Sequence, residues 1–383
     1  MSVTHPRGFE AAGVASGLKG KGGKDIALVV NRGPSQAAAA VFTSNRALAN
    51  PVIWSKQVIA DGIVSAIVLN SGGANCYTGS RGFQVTHSTA EHTAQLLDAS
   101  ASDVLVCSTG LIGEQLDLDR VTTGVTAAYG LLDTDGGPDA ALAIMTTDTH
   151  PKQALVERDG WSIGGMAKGA GMLAPGLATM LVVITTDADL PSAQLDEALR
   201  AATRVTFDRL DSDGCMSTND TVALLASAAS GISPDPREFA AALAELCADL
   251  ATQLQEDAEG AAHDIMIQVV NAATEDDAVE VGRAVARNNL FKAAVFGNDP
   301  NWGRVLAAVG TTQAAFDPYN IDVTINGVRV AHAGEPDQSR DLVDLTGRGV
   351  HLVIDLNAGT ATATIRTNDL THDYVHENSA YAS

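Results

Sequence analysis

The chain has 383 residues, of which 45% are hydrophobic and 18% are charged, a composition typical of globular proteins. Its formal net charge of −22 disfavours binding to nucleic acids and anionic membranes, because both depend mainly on Lys and Arg. The N-terminal residues lack the apolar core of a secretory signal, and no run of about 18 apolar residues occurs, so the sequence predicts a cytoplasmic protein.

Short apolar runs that lead into glycine- or asparagine-containing loops dominate the first half of the chain and predict buried strands. They are predicted at residues 25–31, 37–45, 65–75 and 104–113. Residues 87–99 have the pattern of a helix, and a further buried strand is predicted at 180–185.

Apolar stripes and capping residues predict three helices in the second half, which follow Pro191, Pro236 and Thr274. Asp277 completes a capping box with Thr274. The stripe after Pro191 consists of Leu195, Leu199 and Ala202. The clearest stripe follows Pro236 and consists of Phe239, Leu243, Leu246, Leu250 and Leu254.

The C-terminal part favours β structure. The pair Asn326-Gly327 predicts a two-residue hairpin, and residues 357–359 predict a second hairpin. The elements together predict a mixed α/β (α+β) fold in which helices cover sheets. The pattern of strands and helices is least clear in the glycine- and proline-rich stretch before Thr179, which is therefore the candidate domain boundary.

Three familiar site patterns fail in this sequence. The four cysteines form no CxxC pair and have no histidine cluster beside them, so we predict neither a metal site nor a disulfide framework. Residues 17–25 lack the first Gly and the Ser/Thr of a P-loop. Residues 211–220 match the first two ligands of a calcium loop, but Met216 stands where that loop needs Gly, and its twelfth position is not Glu. A polar turn beside a site is the preferred interpretation.

Thr179 directly follows a glycine- and proline-rich stretch and precedes the buried strand predicted at 180–185. If the chain were cut before Thr179, the new α-amine would lie beside the hydroxyl and, with a pKa of about 7.7–8.0, could act as its base. The hydroxyl itself could make the cut by attacking the carbonyl carbon of Ala178. The glycines of the loop would permit the strained backbone that this attack needs. The residues alone leave a plain loop-to-strand junction as the alternative.

A set of motifs resembles the ornithine acetyltransferases, self-processing enzymes of arginine biosynthesis that transfer acetyl from N-acetylornithine to glutamate. The motifs follow the order of that family and extend over the whole chain: FTSN, NSGGAN, STGLIG, MTTDT, KGAGMLAPGLATML, DSDGCMSTND, DAEG, DPNWGR and ENSAYAS.

The resemblance implies self-cleavage between Ala178 and Thr179, which gives an α chain of residues 1–178 and a β chain of residues 179–383. Thr179 would be the acyl-accepting nucleophile, and Thr109 with Gly110 would form the oxyanion hole. The implied substrate contacts are Thr146, Lys168, Thr179, Glu259, Asn378 and Ser383.

The charges of the substrates agree with these implied roles. A lysine such as Lys168 can anchor a carboxylate, and Glu259 can bind an ammonium group. Which substrate charge each side chain meets stays open. Asn378 and Ser383 lie in a tail that would otherwise be interpreted as a frayed terminus.

The implied mechanism is ping-pong through acetyl-Thr179 and needs no cofactor. The implied small-molecule partners are N-acetylornithine, glutamate, ornithine and N-acetylglutamate. Whether acetyl-CoA also serves as an acetyl donor stays open. The resemblance also implies two sheet-plus-helix halves of the ornithine acetyltransferase/aminopeptidase type and an α2β2 heterotetramer.

The sequence leaves two alternative functions open. The first is a self-processed amidase or aminopeptidase that passes the acyl group to water. The second is an unprocessed binding protein for acidic metabolites. Dependence on glutamate as acceptor separates the first from the acetyltransferase, and an intact chain without acetyl exchange would favour the second.

Overall fold

The computed structural model describes residues 2–20, 22–174 and 180–380. In these residues the chain has the expected mixed α/β fold, with three sheets and helices packed on them. None of the described helices is long and apolar enough to cross a membrane.

The described strands are, in chain order, β1 (Phe9–Val14), β2 (Ile26–Asn31), β3 (Ala37–Phe42), β4 (Ala66–Asn70), β5 (Val104–Ser108), β6 (Lys152–Arg158), β7 (Trp161–Lys168), β8 (Leu181–Thr186), β9 (Thr221–Ala226), β10 (Asp264–Ala272), β11 (Asp322–Ile325), β12 (Val328–His332), β13 (Glu335–Pro336), β14 (Gly349–Asp355) and β15 (Ala361–Asn368). The described helices are α1 (Asn50–Val58), α2 (Gly79–Leu97), α3 (Leu118–Tyr129), α4 (Gly137–Ile144), α5 (Ser192–Val205), α6 (Pro236–Glu256), α7 (Glu275–Ala286), α8 (Asn289–Phe296), α9 (Trp302–Val309) and α10 (His372–Ala380).

Two sheets pack face to face in the larger part of the molecule. Sheet A has the strand order β1-β2-β4-β5, and sheet B has the order β3-β9-β8-β7-β6. Apolar side chains of both sheets, such as Leu105 and Leu225, fill the space between them. Helices α2 and α3 cover the outer face of sheet A, and α5 and α6 cover that of sheet B. Inner strands such as β2 are buried along their whole length, which explains why their sequences are continuous apolar runs.

Sheet B takes its strands from both sides of the predicted cleavage position. Strands β3, β6 and β7 precede it, and β8 and β9 follow it. β7 pairs antiparallel with β8, so that Lys168 lies opposite Leu181. The parts 1–178 and 179–383 therefore share one hydrogen-bonded sheet.

Sheet C, with the order β13-β12-β11-β14-β10-β15, lies entirely in the second part of the chain. Helices α7, α8 and α9 pack on one face of it. The side chains of β14 alternate between buried and more accessible positions, as expected for a strand with one covered face.

The local signals of most elements are confirmed. Strands β2, β3, β4, β5 and β8 lie where the apolar runs predict them, and α5, α6 and α7 begin after Pro191, at Pro236 and after Thr274. The hairpin at Asn326-Gly327 joins β11 to β12, and both residues have the positive φ that such a turn requires, 45° and 83°.

The second predicted hairpin, at residues 357–359, is wrong. β10 lies between β14 and β15, parallel to the first and antiparallel to the second. The backbone N–H groups of Ala358 and Gly359 donate to the Asn271 carbonyl oxygen, so the turn crosses the end of β10. A strand pattern indicates which face is buried but does not identify the neighbouring strand.

The helix predicted at residues 87–99 begins about two turns earlier, at Gly79. Gly79 and Gly82 concealed this start because glycine disfavours helix formation. Gly82 is nevertheless suited to its position, since a Cβ atom there would collide with the hydroxyl group of Thr78.

The cap of α7 provides a test of the local fold. The Thr274 hydroxyl accepts a hydrogen bond from the Asp277 N–H (3.1 Å) and donates one to the Asp277 carboxylate (2.8 Å). We expect Thr274→Ala to lower the free energy of unfolding by about 1 kcal/mol in urea denaturation. Thr274→Ser keeps the hydroxyl and should stay within about 0.3 kcal/mol of wild type. Equal midpoints for the Ala and Ser variants would contradict the cap.

Candidate active site

A cleft of about 1510 Å³ opens where the ends of β5, β7 and α6 approach α10. Its walls come from segments far apart in the sequence, which meet only because both parts of the chain build sheet B. Every described residue that the sequence predicts for the site lines this cleft: Thr109, Gly110, Thr146, Lys168, Glu259 and Asn378.

Lys168 is the last residue of β7, and its side chain is 1% exposed. Its ammonium group donates to the hydroxyl oxygens of Thr146 (2.8 Å) and Thr109 (3.3 Å). Burial lowers the pKa of Lys168, and the negative charge of Asp148 opposes this decrease. The lysine thus joins two of the other predicted residues by direct contacts.

A buried ion network lies behind Lys168. Asp148 Oδ1 accepts from Lys152 Nζ at 2.7 Å and from the Gly169 N–H at 2.6 Å, and Oδ2 lies 4.0 Å from Lys168 Nζ. Lys152 is fully buried and also donates to Asp257 Oδ2 at 2.6 Å. Burial by itself would raise the pKa of Asp148, but the charges of Lys168 and Lys152 and the hydrogen bonds to its carboxylate lower it to about 2.

Sequence reasoning missed the members of this network. Asp148 stands in MTTDT and Asp257 in DAEG, two of the motifs that carry the family resemblance, but neither motif indicates a structural role. Lys152 belongs to no motif. A buried partner is invisible in the sequence because the three residues become neighbours only through the fold.

Thr109 and Gly110 directly follow β5. The Thr109 N–H donates to the Asn70 carbonyl oxygen (2.9 Å), and its own carbonyl oxygen accepts from the Gly73 N–H (2.9 Å). These bonds fix the backbone and leave the Thr109 hydroxyl proton and the Gly110 N–H as donors without partners among the described residues. Gly110 has φ 126°, and a Cβ there would approach the Gly73 nitrogen within 2.5 Å, so this position requires glycine.

Glu259 follows the end of α6 and faces Gly171, whose missing side chain leaves room for the carboxylate. The Glu259 N–H donates to the Ala170 carbonyl oxygen at 3.0 Å. Asn378 of α10 donates through Nδ2 to Glu259 Oε2 at 3.0 Å. The C-terminal helix therefore docks against the cleft, although its sequence resembles a frayed end.

Ala178, Thr179 and Ser383 lie outside the described residues, and their predicted roles stay predictions. The residues on either side of the gap are buried: Ala174 is 0% and Met180 1% exposed. Because Leu181 pairs with Lys168, the chain enters β8 beside the lysine of the cleft.

A mixed α/β fold whose cleft collects hydroxyl, ammonium, carboxylate and amide groups from distant segments is typical of an enzyme for a small charged substrate. Residues 10–383 match the model of the ArgJ family, and the chain belongs to this family.

Similar proteins share the whole length of the chain. The Arginine biosynthesis bifunctional protein ArgJ of Streptomyces coelicolor is 63% identical, with 100% of both chains covered. The protein of the same name from Mycobacterium leprae is 53% identical over 100% of this chain and 96% of its own. Among solved structures, ornithine acetyltransferase from Mycobacterium tuberculosis complexed with ornithine is 49% identical. It covers 47% of this chain and 96% of its own, with a TM-score of 0.45.

The ion network allows a stability test. Asp148→Asn leaves the buried Lys152 and Lys168 with one fewer negative charge, and we expect a loss of roughly 3 kcal/mol in urea denaturation. Asp139→Asn is the matched control, because the exposed Asp139 pairs with Lys24 at 3.1 Å and should matter by less than about 0.5 kcal/mol.

The contribution of Asp148 to the stability of the folded protein should depend on pH. The pKa of Asp148 is about 2 in the folded protein, below its ordinary value of 3.8, so its stabilisation is complete above about pH 4 and is lost as pH falls toward 2. The stability difference between wild type and Asp148→Asn should shrink over this range. A difference independent of pH would contradict a charged Asp148.

Proposed function

We propose that this protein is a glutamate N-acetyltransferase of cytoplasmic arginine biosynthesis, which transfers the acetyl group of N-acetylornithine to glutamate. The observation that carries the proposal is the convergence of Thr109, Gly110, Thr146, Lys168 and Glu259, with Asn378, in one cleft. Membership of the ArgJ family and the names of full-length relatives support the same reaction.

Thr179 is the proposed nucleophile after self-cleavage of the Ala178–Thr179 bond. Its own α-amine then takes the proton of the hydroxyl, because an α-amine has a pKa of about 7.7–8.0 and is partly neutral at working pH. The hydroxyl oxygen bonds to the acetyl carbon, the bond from that carbon to the ornithine nitrogen breaks, and the nitrogen receives the proton. Glutamate reverses these steps and leaves as N-acetylglutamate.

The Thr109 hydroxyl and the Gly110 N–H are the proposed donors to the oxyanion. The fixed backbone of Thr109 and the required glycine at 110 keep both donors in place before the reaction, which is how an oxyanion hole lowers a barrier. Lys168 donates to the Thr109 hydroxyl oxygen and thereby directs the proton of that hydroxyl away from itself.

Lys168 and Glu259 supply opposite charges to the two ends of the substrate. N-acetylornithine carries an α-carboxylate and a side-chain ammonium group, so one buried cation and one cleft-lining carboxylate fit its charge pattern. The reaction balances without a metal or an organic cofactor.

We expect the intact mass of the purified protein to show two fragments, residues 1–178 and 179–383. Thr179→Ala should remain a single chain because it has no attacking hydroxyl, and Thr179→Ser should be cut. An uncut and active wild type would rule out the amine as base.

The cleaved fragments should remain together in size-exclusion chromatography, since separating them would break the pairing of β7 with β8 inside sheet B. An α2β2 heterotetramer is the proposed assembly, and light scattering of the cleaved protein measures it.

The acceptor distinguishes a transferase from a hydrolase. Release of ornithine from N-acetylornithine should depend on glutamate, and release at an unchanged rate without glutamate would favour transfer to water. The same assay with acetyl-CoA and glutamate tests the second donor.

Thr109→Ala should lower kcat of the cleaved enzyme by about 100-fold, because it removes one donor to the oxyanion. Thr109→Ser keeps a hydroxyl group and should retain kcat within a few-fold of wild type. Steady-state kinetics with N-acetylornithine compare the two, and equal loss in both would assign Thr109 a packing role instead.

A further inference from the structure

The Asp148 carboxylate fixes the backbone of two segments that meet at the Lys168 ammonium group. Its Oδ2 accepts a hydrogen bond from the Thr146 N–H at 3.0 Å, and its Oδ1 accepts one from the Gly169 N–H at 2.6 Å. The Asp148 side chain is 0% exposed, so no water competes for these bonds. One carboxylate therefore holds both the residue that follows Lys168 and a residue whose hydroxyl group Lys168 contacts.

Lys168 in turn determines the direction of two hydroxyl protons. An ammonium group only donates hydrogen bonds, so the hydroxyl oxygens of Thr109 and Thr146, at 3.3 and 2.8 Å, must accept from it. Their own protons then face away from Lys168, and neither proton has an acceptor among the described residues. Because Thr109 and Thr146 line the cleft, both hydroxyl groups can donate to a ligand.

The direction of these protons depends on the charge of Lys168. A neutral amine has a lone pair that accepts from a hydroxyl group, which would turn the hydroxyl proton back toward Nζ. Burial lowers the pKa of Lys168 and so favours the neutral amine, and Lys152 lowers this pKa further. Asp148 is the strongest of the negative charges that oppose the decrease, ahead of Asp220 and Glu259.

We infer that Asp148 is a positioning residue of the oxyanion hole, which keeps a charged Lys168 behind Thr109 so that the Thr109 hydroxyl proton faces the acetyl group. The inference rests on the proposed function, in which Thr109 donates to the oxyanion. Asp148 is not among the described residues that line the cleft, so it acts through Lys168 and not on the substrate. An oxyanion donor is effective when its direction is fixed before the reaction.

Asp148→Asn tests the inference because an amide has nearly the shape of a carboxylate but no charge. Combined with Thr109→Ala, it forms a double-mutant cycle, which measures whether two residues act through each other. Asp148→Asn should lower kcat by about 10-fold or more, but by no more than Thr109→Ala does, because the loss is limited to one oxyanion donor. In the Thr109→Ala background it should change kcat by less than about threefold.

The effect on Thr146 should appear in a different kinetic constant. Thr146 is a proposed substrate contact, and Asp148→Asn disturbs both its N–H and its hydroxyl group. Loss of a contact that binds substrate and transition state equally raises KM without lowering kcat. The kcat cycle with Thr109 therefore isolates the oxyanion hole from substrate binding.

Each kcat refers to cleaved and folded molecules, because loss of the Asp148 charge also lowers stability. Intact mass gives the cleaved fraction, and circular dichroism gives the folded fraction. Asp211→Asn is the matched control: Asp211 is also 0% exposed and accepts from Arg287 at 2.8 Å, but it forms no hydrogen bond with Lys168 or Thr109. This control should lower the melting temperature and leave kcat within about twofold of wild type.

A charge-balanced variant decides the question if Asp148→Asn folds poorly. Asp148→Asn/Lys168→Met removes one charge of each sign and leaves Lys152 paired with Asp257 at 2.6 Å. Because Asp148 acts through Lys168, this double variant should have the kcat of Lys168→Met within about threefold. A further loss of about 10-fold or more on adding Asp148→Asn would overturn the inference.

The other outcomes separate the inference from the proposed function. A wild-type kcat for Asp148→Asn, or single losses that multiply in the double variant with Thr109→Ala, would overturn the role of Asp148 alone. A wild-type kcat for Thr109→Ala would overturn the proposed oxyanion hole and the inference with it. Absence of acetyl transfer by the cleaved wild type would overturn the proposed function and the inference together.

Discussion

The cleft depends on a negative charge inside the protein. Asp148 holds Lys152 at 2.7 Å and lies 4.0 Å from Lys168, while Asp257 completes the charge balance of Lys152. Lys168 can remain buried and directed at Thr109 and Thr146 because this carboxylate compensates its desolvation. Asp257 also anchors the turn that carries Glu259, so the same network positions a cation on one wall of the cleft and a carboxylate on the other.

Sheet B gives the network its frame. β7 ends at Lys168, β8 begins opposite it, and the predicted cleavage position lies between them in the sequence. A chain cut at this position would lose no strand of the sheet, because the pairing of β7 with β8 does not depend on their covalent connection. The architecture is therefore compatible with a processed enzyme whose two chains form one core.

Local rules accounted for much of the fold. The stripe of α6, the cap of α7 and the Asn326-Gly327 turn were predictable because each depends on residues a few positions apart. The turn at residues 357–359 was misinterpreted because its two strands each pair with β10, nearly a hundred residues earlier in the chain. The start of α2 was missed because Gly79 and Gly82 oppose local helix propensity, although a Cβ atom at Gly82 would collide with the side chains of Thr78, Asn75 and Asn50.

The sequence by itself determined the family resemblance, the mixed α/β class, most of the strands and helices, and the predicted site residues. Only the tertiary structure decided that six of those residues share one cleft and that Asp148 lies between the buried ammonium groups of Lys152 and Lys168. The reason is physical. Motifs record which side chains are present, whereas burial and electrostatic pairing arise between residues that the chain brings together only when sheet B forms.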